Sequence, residues 1–139
     1  MDKEQLRIEQ ILRMLVPDNL VEYFDIKQIK ENKEDWVMEL EEKEELVPKE
    51  LHGKEAVLNG FCNPIEIQSF PVKGKAFYIK ITRRKWKEKG KDTGYSNEYD
   101  LHYKGMKATK EFGDFLKGAF RLTPSKFSNI RDNIMHKRR

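Results

Sequence analysis

The stretch that decides the fold is KAFYIKITRRKW, residues 75–86. Its apolar side chains recur at every second position, which is the period of a half-buried β-strand. Phe77, Ile79 and Ile81 share one face of this strand. The opposite face mixes aromatic and basic residues, namely Tyr78, Lys80, Thr82, Arg84 and Trp86. We therefore expect a sheet in which residues 75–86 form the clearest strand.

Three further segments alternate in the same way, and turn residues separate them. We predict strands over residues 35–42, 64–70 and 97–103. Pro71 and Gly74 bracket a turn before residue 75, and the loop with Gly90, Asp92 and Gly94 follows residue 86. The pattern predicts an antiparallel sheet of three to four strands, with residues 75–103 forming a basic β-ribbon.

Helical patterns flank the strands at both ends of the chain. Residues 3–16 place Ile8, Ile11, Leu12 and Leu15 at helical spacing, and residues 18–24 predict a second, short helix. Thr109 is a good N-cap for a helix, and Thr123-Pro124 is a strong start for another. We predict one α+β domain over residues 1–139, divided into a helical start (3–24), a sheet (35–104), a helix pair (109–136) and a basic tail (136–139).

Charge is distributed unevenly along the chain. The net charge of +4 hides an acidic part, residues 1–55 at −7, and a basic part, residues 56–139 at +11. Such asymmetry points to a polyanionic partner for the basic part. An alternative is that the acidic and basic parts dock on each other.

Several functional classes are excluded or disfavoured by composition. The lone Cys62 forms no internal disulfide and belongs to no zinc motif, so we expect it to be a small buried apolar residue. His52, His102 and His136 are far apart, and the acidic stretch 39–50 is expected to be a solvated face rather than a metal site. Phosphate-binding loops, nucleophile elbows and zinc-protease motifs are absent. We expect no cofactor, no metal and no enzymatic activity.

Nothing in the sequence predicts a membrane protein. No apolar run approaches the ~18 residues that a membrane-spanning helix needs, and residues 1–10 carry no apolar signal region. We therefore expect a cytoplasmic protein with no membrane partner.

The strongest functional feature is the segment of residues 73–91, with nine Lys or Arg and one acid, Glu88. Basic residues interleaved with aromatic ones suit contacts with phosphates, sugars and bases. We predict Arg83 and Arg84 as base readers, because arginine bonds guanine bidentately, and Tyr78 and Trp86 as packing groups. The remaining predicted DNA contacts are Lys73, Lys75, Lys80, Lys85, Lys87 and Lys89. A solubilising charged sheet face is the alternative interpretation.

The C-terminal helix pair is a second candidate for DNA contact. Its tight connection around residues 121–123 has the layout of a helix-turn-helix, and its second helix would expose polar residues such as Lys126, Asn129 and Arg131. We favour a plain helical hairpin that caps the sheet, because the turn has no glycine.

Four segments of the chain together have the pattern of a known family, namely LVPDNLVEYFD (15–25), QSFPVKGK (68–75), FYIKITRRKW (77–86) and YKGMKATKEFGDFLK (103–117). In these segments the chain resembles the N-terminal region of insertion-sequence transposases common in Bacteroidetes. The family pattern has an acid before its Phe-Pro turn, where this chain has Ser69. The resemblance spans roughly residues 6–120 and implies recognition of the element's terminal repeats. At the positions that match the family's motif, the resemblance implies DNA contacts by Lys80, Arg83, Arg84, Lys85 and Trp86.

These observations predict a non-catalytic module that binds double-stranded DNA at terminal repeats. The resemblance implies a catalytic transposase subunit or domain as a second partner, and a homo-oligomer is possible. Two alternatives remain open. One is a protein-interaction or oligomerisation module that docks on a catalytic subunit, and the other is an RNA-binding module that uses the same residues.

Overall fold

The computed structural model describes residues 2–101 and 106–122. The helices and strands found there are, in chain order, α1 (Lys3–Leu15), α2 (Asp18–Tyr23), β1 (Phe24–Glu31), β2 (Asp35–Glu42), β3 (Ala56–Phe61), β4 (Ile65–Val72), β5 (Lys75–Thr82), β6 (Arg84–Glu88), β7 (Gly94–Tyr95) and α3 (Lys110–Leu122). One turn of 3₁₀ helix, Lys49–Leu51, lies between β2 and β3. The second C-terminal helix and the basic tail predicted within 123–139 lie outside the described residues.

The α+β class is confirmed, and so are both N-terminal helices. Asp2 caps α1, because its side chain accepts a hydrogen bond of 2.8 Å from the backbone N–H of Gln5. Val16 is extended, which ends α1, because the residue before a proline is pushed away from helical geometry. Pro17 then precedes α2.

The larger sheet is mixed, with strand order β1-β2-β5-β4. β1 pairs with β2, and β4 with β5, in antiparallel fashion, whereas β2 and β5 run parallel. The prediction of a purely antiparallel sheet is therefore wrong. The chain leaves β2 through β3 and β4 before β5 returns beside β2, and such a crossover connection permits parallel pairing.

The main core lies on one face of the larger sheet. Phe77, Ile79 and Ile81 of β5 face this core, as the alternation predicts. α2 and the adjoining turns cover them with Val16 and Leu20. The opposite face is also closed at the centre of the sheet, because Val37, Tyr78 and Gln68 lie in register across β2, β5 and β4 and are all buried.

A two-residue turn joins β4 to β5. Val72 pairs with Lys75, and the two residues between them, Lys73 and Gly74, both have positive φ angles, 51° and 76°. Two consecutive positive φ angles are typical of a type I′ hairpin turn, whose twist matches that of the strands. The Phe-Pro-Val-Lys-Gly-Lys motif is thus a tight hairpin.

β1 was not predicted from the sequence. Its pairing with β2 shifts between Ile26 and Gln28, so Lys27 occupies a β-bulge. The bulge separates Ile26 and Ile29 by three positions, and a search for strict alternation therefore overlooks this edge strand.

The predicted strand 75–86 is divided at Arg83, and β6 enters a second, smaller sheet of order β3-β6-β7. β6 therefore pairs with β3 and with the short β7. Residues 97–101, which we expected to pair with this segment, form no strand. The prediction of a strand over 97–103 is wrong for its described residues. β3 was not predicted from the sequence, because its register with β6 shifts between Leu58 and Phe61, where Gly60 has a φ angle of +91°.

α3 is anchored to the free edge of β4. Gln68 N–H donates to the carbonyl of Lys107 (2.9 Å), and Thr109 N–H donates to the carbonyl of Gln68 (2.8 Å). The prediction of Thr109 as the N-cap of α3 is confirmed, because its hydroxyl accepts a hydrogen bond of 3.2 Å from Phe112 N–H. The buried Ala108, Phe112 and Leu116 then form a small second core.

Candidate nucleic-acid interface

The junction between the two sheets positions the basic segment. The carbonyl of Arg83 accepts a hydrogen bond of 2.9 Å from Cys62 N–H, which ties the end of β5 to the end of β3. From Arg84 onward the strand pairs with β3 instead of β2 or β4. Because side chains alternate along β6, Arg84 and Trp86 share one face and Lys85 and Lys87 share the other. Cys62 itself is a partly exposed free thiol, not the buried residue we expected.

Arg84 is an internal structural residue. Its exposed fraction is 6%. The guanidinium donates to the carbonyl of Glu42 and to the carboxylate of Glu41, both at 2.8 Å, and lies 5.4 Å from the ring centre of Phe61. With its planar donors directed at protein acceptors, this arginine is not available to read a base edge. This burial and these protein partners do not favour the prediction of a base-reading Arg84.

The two aromatic residues proposed to pack on nucleic acid are buried as well. Tyr78 is 5% exposed and Trp86 is 8% exposed. Trp86 also has a buried indole N–H that finds no acceptor among the described residues. Both rings contribute to the interior, so the predicted packing of Tyr78 and Trp86 on sugars or bases does not fit this structure.

Arg83 is held at the edge of the same junction. Its guanidinium donates to the carbonyl of Asn97 at 2.9 Å and forms an ion pair with Glu98 at 3.1 Å. Its side chain is only 16% exposed, whereas that of Glu98 is 84% exposed. A nucleic-acid phosphate would have to displace this flexible carboxylate to reach Arg83.

Two of the predicted lysines form ion pairs with acids of the same chain, and a third has acids as its neighbours in the strand register. Lys75 donates to the Glu31 carboxylate and to the Asn32 carbonyl, each at 2.9 Å, and its ammonium lies 5.4 Å from the Trp36 ring centre. Lys89 is 3.5 Å from Glu55. Lys80 is half buried, and its register partners on the neighbouring strands are Glu39 and Glu66.

A group of lysines on and around β6 is left without a carboxylate. Lys85, Lys87 and Lys91 have no ion pair within residues 2–101 and 106–122. Lys73, in the β4–β5 turn, is exposed and also lacks one there. The side chain of Lys85 crosses β7, because a Cβ added at Gly94 would lie 3.7 Å from its carbons. Lys85 also lines a shallow depression of about 390 Å³ with Asn59, Asp92 and Tyr95.

A buried polar network behind these lysines was missed by sequence reasoning. Glu42, 1% exposed, accepts from the backbone N–H of Arg84 (2.8 Å), from the Asn97 amide (3.0 Å) and from the Tyr99 hydroxyl. Burial, and then the hydrogen bond to Glu42, raise the pKa of the Tyr99 hydroxyl above its ordinary value. A signal existed, because Glu42 continues the inward alternation of Met38 and Leu40.

The acidic stretch 39–50 is thus only partly the solvated face that we predicted. Glu44, Glu45, Lys49 and Glu50 are exposed, but Glu42 and Pro48 are buried. The described part of the chain holds no group of three or more His, Cys, Asp or Glu that could bind a metal ion. None of its helices has the length and apolar character needed to cross a membrane.

Comparison with known proteins gives no family assignment. No protein-family model, no curated protein and no solved structure matches the chain.

Proposed function

We propose that the chain is a DNA-binding, non-catalytic module of a transposase that contacts the phosphates of duplex DNA through the lysines around β6. The residues that we assign are Lys85, Lys87 and Lys91. The proposal revises the contact set expected from the sequence, because it removes Tyr78, Arg84 and Trp86 and adds Lys91. The remaining predicted contacts become secondary groups, namely Arg83, Lys73, Lys75, Lys80 and Lys89.

The observation that carries the proposal is the division of charge within the basic segment. Its arginines are engaged with Glu41, Glu42 and Glu98, whereas Lys85, Lys87 and Lys91 carry charges that no described carboxylate neutralises. Lys85 and Lys87 also lie on one face of one strand. Unneutralised lysines on a common surface attract phosphates and displace their counterions, which gives affinity with little sequence preference.

The family resemblance supports duplex DNA at terminal repeats as the natural ligand and the cytoplasm as the location. In this proposal the structural network of Arg84 and Glu42 fixes the direction of β6, and the lysines supply the contacts. Phosphate contacts position a protein without reading sequence. Discrimination between repeats would then require groups in addition to these lysines.

The test is a binding titration with a labelled duplex that carries the terminal repeat, against a scrambled duplex, at several salt concentrations. Lys85→Ala/Lys87→Ala is compared with Lys27→Ala/Lys30→Ala, which also removes two positive charges but from lysines paired with Glu41 and Glu39. We expect the first variant to bind more weakly and to flatten the dependence of log K on log salt by about 2, since each phosphate contact contributes ~0.9.

Equal affinity of the two double variants would contradict the assignment to β6. Salt-independent binding, or none, would contradict the function itself. A duplex RNA competitor of equal length separates the RNA-binding alternative, which predicts that RNA displaces the DNA.

A protein-interaction role is a second candidate, and one observation favours it. Half of the ten large apolar side chains that are exposed in the described residues belong to α1. Such a concentration on a single helix is typical of an interaction surface.

A further inference from the structure

The smaller sheet presents a narrow ribbon of two strands to solvent. β3 is the edge strand of this sheet, and its last four residues, from Leu58 to Phe61, are exposed. Its neighbour β6 pairs on the other side with the two residues of β7. A two-stranded ribbon fits the major groove of B-DNA. The ribbon β3–β6 therefore has a shape that suits the groove of a duplex.

A β-bulge in β3 places Asn59 beside the lysines of β6. The register between the two strands shifts after Leu58, so that Asn59 and Gly60 together lie opposite Lys85. Gly60 has a φ angle of +91°, and a Cβ added there would meet nothing within 4 Å. The backbone conformation, and not close packing, therefore accounts for the glycine. Because a bulge bends a strand and changes the direction of its side chains, it sets how Asn59 projects.

The depression beside Lys85 offers hydrogen-bond acceptors as well as donors. Asn59, Asp92 and Ser96 line it together with Lys85. The side chains of Asn59, Asp92 and Ser96 form no hydrogen bond or ion pair with any residue that the structure describes. A phosphate only accepts hydrogen bonds and is repelled by a carboxylate, whereas base edges in the major groove present both donors and acceptors. This mixture of groups therefore suits a base edge better than a phosphate.

The carboxamide of Asn59 matches one base in particular. It carries a donor and an acceptor in one plane, and an asparagine pairs bidentately with N6 and N7 of adenine. Asn97, by contrast, is not available for such a contact. Its amide donates to the Glu42 carboxylate at 3.0 Å and to the Leu46 carbonyl at 2.7 Å. Asn59 therefore combines exposure, a free carboxamide and a place next to the phosphate-binding lysines.

We propose that Asn59 is a specificity-determining residue, which reads an adenine in the major groove of the duplex whose phosphates Lys85 and Lys87 contact. This inference rests on the proposed function, because the lysines supply the affinity and Asn59 supplies the preference for one sequence. It is specific to DNA, since the major groove of an RNA duplex is too deep and narrow for side chains to read.

Selection from a pool of duplexes with randomised central base pairs tests the proposal. We expect the wild type to favour adenine at one position by about tenfold, because one bidentate contact discriminates to this order. Asn59→Ala should lose this preference, whereas Asn59→Gln should retain it, since glutamine makes the same bidentate contact with adenine. The matched control is Asn19→Ala, at an exposed asparagine of α2, which should select like the wild type.

Removal of a single acceptor atom from the DNA provides a second readout. In the selected duplex, 7-deazaadenine replaces the preferred adenine and takes away the N7 acceptor of the major groove. The wild type should bind this duplex about fivefold more weakly, since one hydrogen bond is lost. Asn59→Ala should bind the two duplexes equally. A wild type that also binds them equally would overturn the proposal.

The outcomes separate this inference from the proposed function. Lys85→Ala/Lys87→Ala should bind every duplex more weakly and keep the adenine preference, whereas Asn59→Ala should bind unselected duplexes like the wild type. A wild type that binds duplexes without favouring any base would overturn the inference alone, and so would an Asn59→Ala protein that still favours adenine. A protein that binds no duplex would contradict the proposed function, and the inference with it.

Discussion

Two reciprocal hydrogen bonds join Glu42 and Arg84, in which the side chain of each residue contacts the backbone of the other. The Glu42 carboxylate accepts the backbone N–H of Arg84, and the Glu42 carbonyl accepts the Arg84 Nε–H, each at 2.8 Å. The pair lies where β2 ends and β6 begins, so it connects the larger sheet to the smaller one. The direction of β6, and with it the placement of Lys85 and Lys87, depends on this pair.

Removing the Glu42 carboxylate should destabilise the protein severely. Glu42→Ala takes the buried carboxylate acceptor from the Arg84 backbone N–H, the Asn97 amide and the Tyr99 hydroxyl, and because each buried polar group left unsatisfied costs about 1–3 kcal/mol, we expect the free energy of unfolding to fall by about 3 kcal/mol or more. Urea denaturation measures this change. Glu44→Ala is the control, because the Glu44 side chain is 86% exposed and 3.9 Å from Arg84, and it should stay within about 0.5 kcal/mol of wild type.

Arg84→Ala should act through stability and not through a direct DNA contact. We expect a loss of about 3 kcal/mol in the free energy of unfolding, because the Glu42 carbonyl and the Glu41 carboxylate lose the guanidinium donors and the buried Arg84 side chain leaves a gap. Lys85→Ala, one residue further, should leave the unfolding curve unchanged. The measurement is urea unfolding of both variants, followed by DNA binding under conditions in which each is folded. An Arg84→Ala protein as stable as wild type that no longer binds DNA would restore the base-reading role.

Alkaline pH should weaken the fold through Tyr99. The raised pKa of its hydroxyl means that the folded state holds this proton more tightly than the unfolded state does. The stabilisation is complete below about pH 10, the ordinary tyrosine value, and is lost as pH rises above it. Urea unfolding near pH 8 and near pH 11 measures the loss. Tyr99→Phe should show a smaller loss than wild type, and Tyr95→Phe should lose as much as wild type does.

We expect substitutions at the two residues of the β4–β5 turn to have opposite effects on the free energy of unfolding. Gly74→Ala should lower the free energy of unfolding by about 1 kcal/mol, because φ is 76° there and a side chain adds strain. Nothing lies within 4 Å of the added Cβ, so a clash contributes nothing. Lys73→Asn should raise stability by about 0.5 kcal/mol, because asparagine tolerates the positive φ better than lysine. Thermal or urea unfolding of the two variants checks the signs.

Trp86→Phe should be tolerated. The indole N–H of Trp86 is buried without an acceptor among the residues that the structure describes, so its removal offsets part of the lost apolar contact. We expect a stability change within about 1 kcal/mol and unaltered DNA affinity. A large loss of DNA affinity in a folded Trp86→Phe protein would show that the indole reaches the nucleic acid.

Local patterns in the sequence were sufficient to predict several features of the local structure. The alternation of Phe77, Ile79 and Ile81 predicted the core face of β5, and Thr109 predicted the start of α3. These features depend on the geometry of neighbouring residues, which the chain specifies within a few positions. The same reasoning failed at β1 and β3, because irregular pairing there interrupts the alternation that it relies on.

The burial and pairing of the basic segment were decided by tertiary structure alone. Alternation shows that Tyr78, Arg84 and Trp86 are not on the Phe77 face, but it does not show whether their own environment is covered by protein or open to solvent. The acceptors that occupy Arg84, on Glu41 and Glu42, come from a strand about forty positions earlier in the sequence. The charge count of the segment is a property of sequence, whereas the charge left for a partner depends on which distant carboxylates the fold brings within hydrogen-bond distance.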